Sequence, residues 1–250
     1  MVRPLRGLLP ILLGAFGLGM PAQAADTQVA VAANFTEPAK EIAAAFAKAT
    51  GNHAILSFNS SGAFYTQMSH GGPYEVFLSA DADRPLKAEQ EGLAVPGTRF
   101  TYAVGRLVLY STKAGLVDQG GGVLKRGGFA KLSIADPTAA PYGLAAVQTL
   151  RHLGVYPLVA PRIVKGSSIT QAYEFVATGA ADLGFVALSQ VIKVPGGSRW
   201  VVPTTLHAPI DQQAVLLWTG ARNPAAKAFL AFLKKPEAIA IIRRYGYEVR

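Results

Sequence analysis

The sequence predicts an α/β protein built as two lobes that face one another across a cleft. Three observations point there. Short apolar runs alternate with helix-spaced amphipathic runs along residues 25–250, the pattern of mostly parallel sheets covered by helices. The chain is 250 residues long and 50% hydrophobic, too long for one small sheet but sufficient for two cores of about 100 residues each. At four places an apolar run leads straight into small polar residues and then a helix: residues 29–33 into Asn34-Phe35-Thr36, 54–58 into Asn59-Ser60-Ser61-Gly62, 132–135 into Asp136 and Pro141-Tyr142-Gly143, and 162–164 into Lys165-Gly166-Ser167-Ser168. Ligands of open α/β sheets bind outside the carboxyl ends of the strands, so junctions from two lobes can converge there.

The elements follow in order. Arg3 and Arg6 precede an apolar run over residues 8–18 and the small-x-small site Ala22-Gln23-Ala24, a secretory signal over residues 1–24. Residues 36–50 place Ile42, Ala43, Phe46 and Ala47 on one helical face, and Gly51-Asn52 closes the helix. Strand 74–78 leads to a short helix at 83–90 stopped by Gly92, and residues 102–111 form the longest apolar strand, with Gly105 near its middle. The second half repeats the rhythm: strand 132–135, helix 143–153, strand 162–164, helix 169–178, strands 183–188, 200–203 and 214–218. Helices at 224–233 and 236–245 begin at Pro224 and Pro236, where proline suits a first turn. Gly-rich residues 120–128 lack the order of a phosphate-binding loop and read as a surface turn.

Composition excludes several classes. Removing residues 1–24 takes two arginines and no acid, so the formal charge falls from +9 to +7, and the remaining charges are scattered without a basic run. No nucleic-acid partner is predicted. The chain has no cysteine, hence neither disulfides nor thiolate metal sites nor a lipid-bearing cysteine. His53, His70, His152 and His207 show no i, i+4 pairing, and no bare metal ion or cofactor is expected. Ser60-Ser61, Ser167-Ser168 and Ser189 lie outside any G-x-S-x-G elbow. Asp81 and Asp83 could serve as an acid and base pair, but they stand between a strand and a helix, where aspartate caps.

What the four junctions share is chemistry. Helix first turns present unpaired N–H groups at the positive end of the helix dipole, beside hydroxyls and amides, and three of the four clusters contain no basic residue. That points to a receptor for an oxyanion, held without a full countercharge; the alternative at these junctions is ordinary helix capping by the same residues.

A resemblance sharpens this reading. Val29-Ala30-Val31-Ala32-Ala33-Asn34-Phe35, Ser57-Phe58-Asn59-Ser60-Ser61-Gly62, Val76-Phe77-Leu78-Ser79-Ala80-Asp81, Asp136-Pro137 with Pro141-Tyr142-Gly143, Leu183-Gly184-Phe185-Val186-Ala187-Leu188-Ser189 and Tyr245-Gly246-Tyr247 stand in an order that resembles the periplasmic molybdate-binding proteins of ABC transporters, across nearly the whole mature chain. The resemblance implies a two-lobed, periplasmic-binding-protein type II fold. Lobe 1 would be residues 25–105 with 209–250, lobe 2 residues 106–208, and hinges would lie near 104–106 and 207–212. It implies a monomer that is not an enzyme and that delivers molybdate or tungstate to a membrane permease. Asn34 and Ser61 would supply side-chain and backbone donors from the first lobe, Tyr142 and Ile169 backbone N–H groups from the second, and Ala33 is a weaker neighbour. The best-known branch has serine in place of Asn34 and a hydroxyl-donating tyrosine in place of Ala187. A second branch shares the asparagine and the Pro-Tyr-Gly turn, so the Tyr142 hydroxyl is the replacement on offer.

The chemistry of the ligand agrees with neutral donors. Molybdate and tungstate are fully deprotonated near neutral pH and only accept hydrogen bonds, whereas phosphate keeps a proton and calls for an acceptor carboxylate; Asp136 is the nearest one. Alternatives from the sequence are a receptor for sulfate or another small anion, a secreted hydrolase using Ser61 or Ser167, and an exported adhesion module.

Overall fold

The computed structural model describes residues 25–249, so the predicted export signal at residues 1–24 lies outside the described residues. The first apolar run forms β1 (Asp26–Ala32), and a 3-10 turn at Ala33–Phe35 leads directly into α1 (Thr36–Thr50). Gly51, at φ 74°, caps α1 in the left-handed region and donates its N–H to Ala47 O, as the Gly-Asn signal predicts. Then come β2 (His53–Asn59), α2 (Ser61–Ser69), β3 (Val76–Leu78), α3 (Asp83–Gln90) and β4 (Phe100–Gly105). The middle of the chain builds β5 (Leu107–Ser111), α4 (Val123–Arg126), β6 (Leu132–Ala135), α5 (Pro141–His152), α6 (Tyr156–Val159), β7 (Ile163–Gly166), α7 (Ile169–Ala177), β8 (Leu183–Ala187), α8 (Leu188–Val191) and β9 (Ser198–Val201). It closes with β10 (Ile210–Leu216), α9 (Pro224–Phe232) and α10 (Pro236–Arg244).

The strands sort into two five-stranded sheets, β2-β1-β3-β10-β4 and β7-β6-β8-β5-β9. In each, four strands run the same way and one is reversed: β10 is antiparallel to β3 and β4, and β5 to β8 and β9. The reversed strand is the one that follows a crossing from the other sheet. A strand entering at the cleft must run away from it, while its neighbours run toward it and deliver their carboxyl ends there.

The long apolar run at 102–111 is therefore two strands in two sheets rather than one, with the chain changing sheets between Gly105 and Leu107. Hydrophobic patterning could not report this, because both strands are buried and read as one run. A Cβ at Gly105 would stand 2.2 Å from Tyr142 Oη and 2.7 Å from Gln212 Nε2, which explains the glycine at the crossing. The chain returns between Val201 and Ile210. A third segment lies beside these crossings: Gly246 (φ 82°) turns the chain after α10, and Glu248 pairs with Val104 through bonds of 2.7 and 3.1 Å.

Each sheet has its own core. Phe46 packs edge-on to Phe229 and Phe232, at 5.3 and 5.6 Å, where α1 and α9 cover the first sheet. Leu107, Ile134, Leu150 and Phe185 anchor the second. The Gly-rich stretch at 120–128 is more than the predicted surface turn: it contains α4, whose Val123 and Leu124 are buried in the second core. No helix among the described residues is long and apolar enough to cross a membrane.

Candidate functional site

All five residues singled out in the sequence meet at one place. Ala33, Asn34, Ser61, Tyr142 and Ile169 line a small cavity between the sheets, together with Ala32, Ser60, Ala80, Ala140 and Pro141. It offers about 10 Å³ of positions to the centre of a water-sized group. That is room for about one water-sized group and none for a sugar or peptide, so a tetrahedral oxyanion enters only as the walls ease apart.

Local structure aims donors into that space. At α2, Ser60 caps with Oγ accepting from Ala63 N–H, and Ser61 at the first helical position keeps an N–H with no acceptor inside the helix. The Ser61 Oγ accepts from Ala80 N–H at 2.9 Å, so its lone pair is engaged and, among the described residues, its proton has no protein acceptor. At α5, Ala140 gives no side-chain cap and Pro141 has no N–H, which makes Tyr142 N–H the first donor of the helix. At α7, Ser168 Oγ accepts from Gln171 N–H at 3.3 Å and leaves Ile169 N–H at the first position. Thr170 Oγ1 reaches back to Ala33 O at 3.3 Å, tying α7 to the 3-10 turn after β1.

One expectation needs correction. Both protons of Asn34 Nδ2 are committed, to Gln212 Oε1 and to Tyr247 Oη, each at 2.9 Å. The Asn34 side chain therefore holds the cavity floor, and its backbone N–H, near the start of the 3-10 turn, is the group left to donate. Beneath the floor Tyr102 Oη donates to Gln212 Oε1 at 3.0 Å, which fixes the amide so that Gln212 Nε2 donates to Tyr142 Oη at 3.2 Å. The Tyr142 hydroxyl is also hydrogen-bonded to the Tyr247 hydroxyl, so it belongs to this buried network. Ala187, which stands where the best-known branch has its tyrosine, is fully buried at the end of β8.

These phenols stay neutral. Burial pushes Tyr102 and Tyr142 well above the ordinary tyrosine range, with the neighbouring Tyr247 adding to the rise, and burial pushes Tyr247 to about 12. The lining thus contains neither a permanent cation nor a carboxylate. Asp136 belongs to a larger outer groove of about 1190 Å³, not to the cavity. Its Oδ1 accepts from Thr138 N–H and Oγ1 at 2.9 and 2.8 Å, bonds that hold its carboxyl below the usual range and make it a turn residue. Asp81 caps in the same manner, accepting from Arg84 N–H at 3.1 Å, and pairs with the Arg84 guanidinium.

Two contacts close the walls over the cavity. Gly62 N–H donates to Ala139 O at 2.9 Å, and Arg84 Nη2 donates to Thr138 O at 2.9 Å, both from the first lobe to the loop preceding α5. Sequence reading placed Gly62 in a donor junction without this closing contact, and it missed Arg84, Gln212, Tyr102, Tyr247 and Ser189 as parts of the site. Their partners lie between 23 and 213 residues away along the chain, which no local spacing signals.

A two-sheet α/β molecule with helix first turns from both halves around one small cavity is a solute-binding architecture. Residues 27–248 match the family described as bacterial extracellular solute-binding protein, and the chain belongs to it. Among its relatives, the molybdate-binding protein ModA of Rhodobacter capsulatus is 58% identical over 231 residues, covering 92% of this chain and 91% of that one. ModA of Azotobacter vinelandii is 55% identical over 242 residues, 96% of each. Among solved structures, a periplasmic molybdate-binding protein from Azotobacter vinelandii superposes with a TM-score of 0.87 at 44% identity, covering 90% of this chain and 99% of that one. The fold is the two-lobed periplasmic-binding-protein fold, and these relatives are binding proteins, not enzymes. For the hydrolase alternative, the Ser61 hydroxyl is paired with the Ala80 backbone N–H rather than with a base.

Proposed function

We propose that this chain is the molybdate receptor of an ABC transporter, exported to the periplasm by residues 1–24, acting as a monomer and handing molybdate or tungstate to the membrane permease. The observation that carries the reading is the cavity lining: Asn34, Ser61, Tyr142 and Ile169, whose first-turn N–H groups have no acceptor within their helices, line one small cavity with the Ser61 hydroxyl, and its walls hold no carboxylate and no permanent cation. Such a lining satisfies an anion that accepts hydrogen bonds and donates none, and it disfavours phosphate, whose proton would find no carboxylate partner. Each charge-assisted bond contributes about 1.5–3 kcal/mol, so several in a water-poor site reach submicromolar affinity after the cost of closure. Sulfate has the same charge with shorter bonds, so a cage fitted to the larger anion holds it loosely. The lobes are residues 25–105 with 209–250 and residues 106–208, and they move about the crossings near 104–106 and 207–212.

Isothermal titration with molybdate, tungstate, sulfate and phosphate tests this. Submicromolar binding of the first two and much weaker binding of the others is expected; no binding of molybdate or tungstate would overturn the assignment, and preference for sulfate would move it to another anion.

A further inference from the structure

The polar groups beneath the cavity form a closed circuit that begins and ends on Asn34. Asn34 Nδ2 donates to Tyr247 Oη at 2.9 Å, Tyr247 Oη to Ser189 Oγ at 2.9 Å, and Ser189 Oγ to Asn34 O at 2.8 Å. Tyr247 Oη also stands 2.8 Å from the same carbonyl. The two hydroxyls share the Asn34 carbonyl as acceptor, and the single Tyr247 proton serves either that carbonyl or Ser189 Oγ, so the three groups satisfy one another as a set. All three residues are buried.

They come from three separate parts of the chain. Asn34 follows β1 of the first sheet, Ser189 opens α8 beside the second, and Tyr247 lies on the tail that pairs with Val104 next to a crossing. The circuit grips both ends of one residue, side chain and carbonyl, and so fixes the orientation of the Asn34 peptide whose N–H borders the cavity. Moving α8 away from β1 breaks it. Two ring contacts seat the tail, with Tyr247 packed edge-on to Phe35 at 5.3 Å and the Lys193 ammonium 3.8 Å over the Tyr245 ring.

We infer that Ser189 and Tyr247 are positioning residues for the anion: they never touch it, and they set how long it stays by locking the Asn34 peptide in its donating orientation only while the lobes are together. This rests on the reading of the cavity as a molybdate site. Encounter occurs before the lobes close, so the circuit acts on release and leaves capture alone.

The test is stopped-flow binding and release of molybdate by the full mature chain, for the wild type, Ser189→Ala, Tyr247→Phe and the double variant. Ser189→Ala is expected to speed release about tenfold and Tyr247→Phe more than tenfold, the latter because it also leaves an Asn34 proton unpaired, with the capture rate within twofold of wild type. The double variant should release more slowly than the product of the two single effects predicts, because both hydroxyls act on the same Asn34 carbonyl. In the loaded wild type the Asn34 amide resonance in the 1H–15N spectrum should shift in both single variants. Release rates within twofold of wild type, costs that add in the double variant, or a loss carried by capture would overturn the inference while leaving the molybdate site standing. A wild-type chain that binds no molybdate would overturn both.

Discussion

Gly62 offers the sharpest separation of closure from folding. An alanine Cβ there would stand 2.9 Å from both Cα and O of Ala139 and 3.1 Å from Arg84 Nη2. Two of these three atoms are backbone on the opposite wall and cannot swing aside, so the walls must part and the 2.9 Å Gly62 to Ala139 hydrogen bond must stretch. Loss of that bond costs about 1 kcal/mol and the crowding about 1–3 kcal/mol more, which together weaken the closed form by roughly 2–4 kcal/mol. Affinity for molybdate should fall roughly 30- to 700-fold. With the lobes apart the same methyl group meets solvent, and alanine favours the helix over glycine by about 0.8–1 kcal/mol. Gly62→Ala should therefore bind far more weakly while melting no lower, or slightly higher, without the anion. Titration calorimetry and thermal melting on one preparation read both quantities; unchanged affinity, or a drop in melting temperature that accounts for the weaker binding, would refute the reasoning.

Other expectations follow from the same geometry. Ser61→Ala removes one donor to the anion and the acceptor of Ala80 N–H, and calorimetry should show affinity reduced roughly 10- to 150-fold. Phe35→Ala empties a fully buried site that stacks edge-on with Tyr102 at 4.9 Å and Tyr247 at 5.3 Å, and urea unfolding should register a loss of about 3–5 kcal/mol. His207 is held below its ordinary pKa of 6.5, first by burial and then by the nearby Arg106 cation, against a bond to Ala208 O that works the other way. The unfolded chain then binds the proton more readily, so stability is lost as pH falls below about 6.5 toward the depressed value. Melting curves of His207→Gln should decline less between pH 7 and pH 5 than those of the wild type. Small-angle scattering should show the molecule compacting on addition of molybdate, and identical profiles would contradict hinge closure.

The four junctions were legible because each obeys a local rule, while the choice of individual residues within and beside them rested on the resemblance. A strand followed by Asn34, Ser61, Tyr142 or Ile169 at a helix start announces its donor through its place in the first turn, and that place is fixed by neighbours such as Ser60, Pro141 and Ser168. The role of the Asn34 side chain was not legible: its partners, Gln212 and Tyr247, lie 178 and 213 residues further along the chain, and the choice between ligand and floor depends on which is nearer in space. Periodicity alone likewise runs through the break at 102–111, where only the resemblance implied a lobe boundary, between 105 and 106. Periodicity reports burial, and both strands are buried, so the sheet each belongs to is set by pairing across the fold.

What the sequence determined alone is most of the strands, the helix starts and the uncharged donors they carry, because backbone geometry within a few residues dictates these. The tertiary structure decided which donors share one cavity, that Gly62 and Arg84 shut it, and that Tyr247 and Ser189 brace it from below. Those outcomes depend on contacts between segments far apart in the chain, and such contacts exist only once both sheets have assembled and the chain has crossed twice between them.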